Sequence, residues 1–290
     1  SLEKFRLLIF LLLLIKILQL LVHRRVACEF VLNLYKNGKR YRDNQLVELV
    51  FLYRCSRLGK SLQYFWPFPF VALMHLILVL HFNGPGRANL TRLCFVAGGV
   101  EFKDTRLNFG GDEWKNIKSD PKSPQAQLFG HMPCIKSGDL LIGQSVACAC
   151  YAADLGVWSR HGSGVQAANG RAVDIMVANT NEDLRSIMYK CLFGNDESKA
   201  AGKEALPGKA AKLLASLESI LERKTCDGPF FVSTDGPTLA DLAVFDNVMS
   251  PFPGLKALGV DLTPYPKLMA CVNAVGEDEK VKKFVENGFK

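Results

Sequence analysis

Most of the chain lacks an excess of charge of one sign, although the formal net charge of the 290 residues is +8. Residues 1–73 hold 12 basic and 4 acidic residues, whereas residues 74–290 hold 24 of each. A surface that recognises nucleic acid needs clustered lysine and arginine. Because the larger part of the chain is electrically balanced, no nucleic-acid partner is indicated.

The chain also lacks a disulfide framework. Its nine cysteines are odd in number and scattered, at positions 28, 55, 94, 134, 148, 150, 191, 226 and 271. This pattern favours a reducing compartment. Only Cys148 and Cys150 are close, and they lie on a predicted helix where residues two apart face different directions. We therefore expect no metal site, with a metal or redox pair at these two thiols as the alternative.

No uninterrupted apolar run reaches the roughly 20 residues that a membrane-spanning helix needs. Residues 7–22 are leucine-rich but include Lys16 and Gln19, and no cleavage-site pattern of a signal peptide follows them. We expect a cytoplasmic protein, with a membrane anchor through residues 7–22 as the alternative. Met74 stands just before the first predicted strand, so we expect the functional protein to begin there. Residues 1–73 are then an N-terminal extension of doubtful authenticity.

A strand, a glycine-rich turn and a helix open the balanced part of the chain. Residues 76–80 are a short apolar run, typical of a buried strand. The Asn-Gly-Pro-Gly sequence at 83–86 ends that strand, and apolar residues at helical spacing follow within 87–96. The free N–H groups at the start of such a helix face whatever binds above the end of the strand.

The remaining elements separate into two kinds. A strand is predicted at 100–107, a short helix within 109–118, a hairpin around Ser137-Gly138-Asp139, and a helix at 145–155. Alanine, leucine, lysine and glutamate dominate after Gly164, which predicts helices near 164–192, 203–224, 238–250, 265–275 and 277–287. Thr238 and Asp241 have the spacing of a capping box. The pattern predicts an α/β domain followed by an all-α domain.

The segment HFNGPGRANLTRLCFVAGGVEF, residues 81–102, resembles the start of a soluble glutathione S-transferase, closest to the sigma class, prostaglandin D synthases and S-crystallins. Other matching positions extend the resemblance over nearly all of residues 74–290: Trp114, Lys118, Met132, Pro133, Gln144, Ser145, Thr238 and Asp241. The resemblance implies a thioredoxin-like domain at 74–155 and an all-helical domain at 162–290. It also implies a cis peptide bond before Pro133, whereas the residue alone would fit a trans proline at the start of a strand.

The resemblance implies that glutathione is the co-substrate, with no further cofactor. Ser145, at a helix N-terminus, suits the γ-glutamyl carboxylate, and Gln144 can bind the same end. The backbone of Met132 would pair with the cysteinyl residue like an added strand. Trp114 and Lys118 would bind the glycyl end. Outside this context, Trp114 would be a packing residue and Lys118 a solvated charge.

Two further positions follow from the resemblance. His131 stands where the family usually has glutamine, so its contact with glutathione departs from the family pattern. Asp183, within an acidic stretch at 179–184, would reach the glutathione amine of a neighbouring subunit. A solvated acidic helix face is the alternative at this position.

His81 occupies the position of the family's catalytic tyrosine, which donates a hydrogen bond to the thiolate with help from an arginine that corresponds to Arg87. A free cysteine thiol has a pKa near 8.5, and the thiolate is the nucleophile. Three alternatives remain open at this position. The imidazole, neutral or protonated, donates to sulfur; Asn83 or a backbone N–H replaces it; or the chain binds glutathione without activating it.

The hydrophobic co-substrate is expected between the two domains, near Phe82, residues 188–193 and Phe289. The sequence thus predicts a homodimeric transferase that conjugates glutathione to hydrophobic electrophiles in detoxification. One alternative is a glutathione-dependent isomerase like the prostaglandin D synthases. The other is a non-enzymatic glutathione-binding or structural protein, because a histidine replaces the usual tyrosine.

Overall fold

The computed structural model describes residues 76–224, 226–250 and 254–288. The predicted extension at 1–73, with its apolar run at 7–22, lies outside these ranges, and so do Met74 and Phe289. Within the described ranges, every helix is too short or too polar to cross a lipid bilayer.

Four strands form one mixed sheet in the order β2-β1-β3-β4. They are β1 (Ile77–Phe82), β2 (Lys103–Leu107), β3 (Cys134–Ser137) and β4 (Leu140–Gly143). Strand β1 is parallel to β2 and antiparallel to β3, and β3 and β4 form an antiparallel hairpin. The order of strands and helices predicted along the chain is confirmed, but β1 continues two residues beyond the predicted end. Alternate residues of β1 face the core, so Ile77, Val79 and His81 are buried.

Four helices belong to the half that contains the sheet: α1 (Asn89–Gly98), α2 (Asp112–Ser119), α3 (Pro124–Gln127) and α4 (Ser145–Leu155). A 3-10 turn, Gly86–Ala88, precedes α1. Helices α1 and α4 pack against each other, and their ends meet at two glycines. A Cβ atom on Gly98 would lie 2.5 Å from the Cα atom of Gly156, so this approach excludes any side chain.

The second half is helical, after a 3-10 turn at Val157–His161. It contains α5 (Gly164–Leu192), α6 (Asp196–Arg223), α7 (Leu239–Met249), α8 (Pro266–Gly276) and α9 (Glu279–Glu286). Helix α6 begins seven residues before the predicted position, because the Asn195 side chain caps it by accepting from the Ser198 N–H at 2.9 Å. Helix α7 is central, since ten of its residues are buried. The fold class, an α/β domain followed by an all-α domain, is confirmed.

The predicted capping box of α7 is also confirmed. The Asp241 carboxylate accepts from the Thr238 backbone N–H at 2.7 Å, and the Thr238 side chain completes the box. Asp174 of α5 adds a second carboxylate at the same helix end, accepting from the Thr238 hydroxyl at 2.8 Å and the Ala240 N–H at 3.0 Å. This contact anchors the start of α7 to the middle of α5.

Candidate functional site

The register of the sheet places three predicted site segments along one edge. Leu80 of β1 lies opposite Cys134 of β3, which lies opposite Gly143 of β4. The residues just beyond this row are His81 and Phe82, Met132 and Pro133, and Gln144 and Ser145. Neighbouring strands lie about 4.8 Å apart, so three strands span roughly 10 Å, which is the length of an extended tripeptide.

The loop before β3 and the start of α4 have the predicted backbone geometry. The Met132–Pro133 peptide bond is cis, with Pro133 buried and His131 exposed. Helix α4 begins at Ser145, as predicted. Gln144 precedes it with φ at 71°, a left-handed conformation that residues other than glycine seldom adopt. The exposed Gln144 side chain and the N-terminal N–H groups of α4 therefore border the same edge.

Helix α2 places Trp114 beside the end of β1. The half-buried indole meets the Phe82 ring edge-on, with 5.8 Å between ring centroids. Lys118, one helical turn later, is exposed, and its Cε atom lies 3.9 Å from the position that a Cβ on Gly130 would occupy. Both side chains thus lie along the sheet edge and the loop that leads to Met132.

His81 is buried at the end of β1, with 8% of its surface exposed. Its Cε1 atom would lie 2.5 Å from a Cβ on Gly86, so only glycine fits there, and φ of 48° at Gly86 favours glycine as well. Burial, reinforced by the positive charge of Arg92, lowers the pKa of His81 to about 4. The imidazole is therefore neutral at neutral pH, which favours a neutral N–H donor over an imidazolium at this position.

The lowered pKa of His81 predicts a loss of stability in mild acid. The unfolded chain, with a histidine pKa near 6.5, binds this proton more readily than the folded chain between pH 6.5 and 4. The contribution of neutral His81 to the free energy of unfolding is fully present above pH 6.5 and decreases as the pH falls. From pH 8 to pH 5, we expect wild type to lose about 2 kcal/mol of unfolding free energy relative to His81→Phe. Urea unfolding at several pH values measures this, and equal pH slopes for both proteins would contradict it.

Arg87 is held by α5 through a contact that the sequence did not indicate. Its guanidinium forms an ion pair with Glu182 and lies over the ring of Tyr189, 5.0 Å from the centroid. Glu182 also accepts from the Ser145 hydroxyl at 3.4 Å, so it links Arg87 to the start of α4. Asp183, which was predicted to reach the glutathione of a neighbouring subunit, is exposed. The helical spacing of Glu182 and Tyr189, seven residues apart, is the signal that could have identified this face.

The turn that contains Arg87 rests on a second, fully buried arginine. Arg92 donates to the carbonyl oxygens of Gly84 at 2.8 Å and Pro85 at 3.0 Å. Asp104 of β2 pairs with the same guanidinium at 3.0 Å. The ion pair of Arg92 and Asp104 therefore holds the turn in place, although local sequence patterns would place both charges in solvent.

A second ion pair fixes the turn from the helical half. Arg185 of α5 donates to the Gly86 carbonyl oxygen at 3.1 Å and pairs with Asp246 of α7. Asp246 also accepts from the Asn89 side chain at 2.6 Å. We refer to Arg185, Asp246 and Asn89 as the buried ion-pair cluster. It joins the first turn of α1 to α5 and α7.

Phe82 and the end of α5, both predicted for the hydrophobic site, are linked by a ring that the sequence reasoning missed. Phe109, after β2, meets Phe82 edge-on with centroids 5.1 Å apart. Phe109 also stacks on Phe193, which contacts Tyr189. The aromatic side chains of the two halves therefore form one continuous surface.

The close cysteine pair lacks the properties of a reactive site. Burial raises the pKa of Cys148 to about 12 and that of Cys150 to about 11. Both thiols are protonated at neutral pH, whereas metal ligation and nucleophilic attack require the thiolate. In the three described ranges, no cluster of three histidine, cysteine or acidic side chains could hold a metal ion.

The chain is similar to several known proteins. A family model described as "Glutathione S-transferase, C-terminal domain" matches residues 182–288. The class-mu 28 kDa isozyme of glutathione S-transferase from Schistosoma haematobium is 34% identical over 181 residues, covering 59% of this chain and 78% of the relative. Hematopoietic prostaglandin D synthase from Gallus gallus is 29% identical over 144 residues, covering 50% of this chain and 66% of that protein.

The fold has solved counterparts. The crystal structure of a nematode-specific glutathione S-transferase from Caenorhabditis elegans superposes with a TM-score of 0.60 at 22% identity, covering 73% of this chain and 97% of that one. This likeness confirms a thioredoxin-like domain followed by a helical domain. Taken with the sequence match to the Schistosoma enzyme, it shows that the chain belongs to the glutathione S-transferase family.

Proposed function

We propose that the protein is a sigma-like glutathione transferase that conjugates the thiolate of reduced glutathione to hydrophobic electrophiles, acting in detoxification in the cytoplasm. The sheet register is the observation that carries the proposal. It aligns the ends of β1 and β4 with the loop before β3, along an edge as long as an extended tripeptide.

Each end of glutathione has a suitable partner along this edge. The N–H groups at Ser145 and the side chain of Gln144 bind the γ-glutamyl carboxylate. The backbone beside the cis Met132–Pro133 bond pairs with the cysteinyl residue. Trp114 and Lys118 bind the glycyl carboxylate. The exposed His131 borders the same loop.

The reaction is a displacement by sulfur. The thiol proton passes to solvent, the thiolate lone pair forms the new carbon–sulfur bond, and an aryl chloride loses chloride with the bonding electron pair. His81, which is neutral, has a single ring N–H. Its Nδ1 atom lies 3.4 Å from the Phe82 carbonyl oxygen, and in the tautomer protonated at Nε2 the imidazole donates a hydrogen bond to the thiolate. Arg87, whose charge is balanced by Glu182, adds a second N–H donor nearby, and both hydrogen bonds lower the pKa of the glutathione thiol.

The proposal predicts a specific pH profile for conjugation. Because His81 is already neutral above about pH 5, the rate with 1-chloro-2,4-dinitrobenzene should follow the ionisation of the bound thiol alone. We expect His81→Ala to raise the pKa in this profile by about one unit and His81→Tyr to retain or improve activity. Each unit corresponds to about 1.4 kcal/mol of thiolate stabilisation. Conjugation rates measured between pH 5.5 and 9 give the profile.

Two results would contradict parts of this proposal. Conjugation by wild type no faster than in buffer would exclude the transferase function. Full activity with an unchanged profile in His81→Ala would exclude the sulfur contact of His81 while leaving the transferase function intact. Thermal unfolding of each variant shows whether the change at this buried position has also altered the fold.

Glutathione-dependent isomerisation is the second candidate, and the similarity to the chicken prostaglandin D synthase favours it. In that reaction the thiolate opens an endoperoxide and is released again, so glutathione is not consumed. Product analysis with a prostaglandin endoperoxide, compared with an aryl chloride, distinguishes the two activities.

We also propose a homodimer. Asp183 is exposed on α5, as it must be to reach glutathione in a second subunit. Light scattering of the full chain gives the mass. If Asp183→Ala weakens glutathione binding only in the dimer, the contact crosses the interface.

A further inference from the structure

Two buried asparagines join α5 to α7. The side-chain nitrogen of Asn247 donates to the backbone oxygen of Asn181 at 2.6 Å and to its side-chain oxygen at 3.0 Å. The side-chain nitrogen of Asn181 in turn donates to the Val177 backbone oxygen at 2.9 Å. Because a backbone oxygen can only accept, these contacts determine which end of each amide is the nitrogen.

The remaining polar atom of this pair is the Asn247 side-chain oxygen, Oδ1. It is buried and has no hydrogen-bond donor among the residues that the structure describes. Asn247 itself is only 1% exposed, so bulk solvent does not supply the missing donor. Buried acceptors in native proteins are nearly always paired, and an ordered water is a common partner where the protein offers none. The oxygen therefore indicates a ligand that donates a hydrogen bond.

Asn247 lines a small cavity between α5, α7 and the turn that contains Arg87. The lining also includes Gly86, Arg185, Tyr189, Asp246 and Ser250. About 10 Å³ of this cavity is open to the centre of a water molecule, which is room for one water and for nothing larger. Hydroxyl, guanidinium and carboxylate groups all form hydrogen bonds, so the lining offers the two to four partners that an internal water needs.

We propose that this cavity binds one water molecule, which donates a hydrogen bond to Asn247 Oδ1 and connects α7 to the turn that carries Arg87. A bridging water of this kind is nearly as favourable as a direct hydrogen bond. The ligand class follows from the size of the cavity and from the acceptor that faces a donor.

The turn meets the cavity at Gly86. The His81 ring lies so close to this glycine that a Cβ atom there would be 2.5 Å from Cε1. Arg185 donates to the Gly86 carbonyl oxygen at 3.1 Å, and the water adds a second support from the helical half. Asn247 is thus a positioning residue for His81 and Arg87. This positioning role rests on the proposed function, whereas the water site does not.

High-resolution crystal structures of the full-length protein test the water site. Wild type should show a water about 2.5–3.0 Å from Asn247 Oδ1. Asn247→Leu removes the acceptor at similar side-chain size and should exclude the water. Asn179→Leu is the matched control, since Asn179 is exposed and its side chain bonds only within α5 among the described contacts, to the Ile175 carbonyl oxygen. A wild-type cavity without a water, or a water that stays in place in Asn247→Leu, would overturn the proposal.

The pH dependence of conjugation tests the positioning role. With the turn less well supported, we expect the pKa of the bound glutathione thiol to rise by about half a unit in Asn247→Leu, which lowers the rate about threefold at pH 6. The rate at pH 9 should change much less, because the thiol is largely ionised in both proteins. Asn179→Leu should keep the wild-type profile. A variant that is merely less stable would lose activity equally at every pH.

The outcomes separate the water site from the proposed function. An equal loss at all pH values, or an unchanged profile, in Asn247→Leu would overturn the positioning role and leave the water site to the crystal structures. Wild type that conjugates no faster than buffer would overturn the proposed function and the positioning role together.

Discussion

Asp246→Ala is expected to lower the free energy of unfolding by about 3–5 kcal/mol, because it leaves the guanidinium of Arg185 buried without its partner. The Asn89 side chain loses its acceptor in the same change. A loss of this size is a large fraction of the roughly 5–15 kcal/mol that stabilises a typical domain. Equilibrium unfolding in urea, followed by circular dichroism, measures it.

Two control variants distinguish the cost of leaving a buried charge unpaired from the cost of removing a side chain. Replacing both partners with apolar residues, Arg185→Met with Asp246→Leu, should recover most of the lost stability, since no unpaired charge remains. Asp112→Ala removes an exposed pair, with Lys115 2.9 Å away, and should cost less than about 1 kcal/mol. If the double variant is no more stable than Asp246→Ala, an unpaired charge is not the cause.

Asp174→Ala should be comparably destabilising, by about 3 kcal/mol or more, although it breaks a different kind of contact. The Asp174 carboxylate accepts from the Trp158 indole at 2.7 Å and contacts the His161 ring at 2.9 Å. It also accepts from the Thr238 hydroxyl and the Ala240 N–H at the start of α7. Each buried donor left without an acceptor costs about 1–3 kcal/mol, and the losses are only partly additive.

Asp183→Ala, on the same helix, provides the comparison for Asp174. Because the Asp183 side chain is exposed, the unfolding free energy of this variant should stay within about 0.5 kcal/mol of wild type. Asp174→Asn keeps one acceptor oxygen, so its free energy of unfolding should lie between those of the two alanine variants. The assignment of Asp174 as an anchor for α7 would be wrong if Asp174→Ala unfolded at the same urea concentration as Asp183→Ala.

The features predicted correctly from sequence are those with local signals. The run at 76–80 indicates the first strand, and the capping box at Thr238 and Asp241 marks the start of α7. The cis bond at Pro133 followed from the family resemblance, since a proline before a strand does not by itself distinguish cis from trans. The first two signals involve residues within a few positions of one another.

The features that sequence reasoning missed depend on contacts between distant segments. Glu182 and Asp183 look alike in sequence, and only the orientation of α5 against the turn selects Glu182 as the partner of Arg87. Asp174 resembles a solvated acidic residue until the start of α7 is placed beside it. Helix α6 begins seven residues before the predicted position, and Gly202 lies inside it. A Cβ there would lie 2.8 Å from the backbone of Lys190, so glycine permits close packing on α5.

The position of Arg92 beneath the glycine-proline turn also bears on the thermodynamics of the proposed glutathione binding. A free loop of this composition would have to lose about 1–2 kcal/mol of backbone entropy per residue when it became ordered around a ligand. Here Arg92 already holds the carbonyl oxygens of Gly84 and Pro85. In the reaction proposed above, Arg87 acts from this preorganised turn, so glutathione binding loses little affinity to the ordering of the chain.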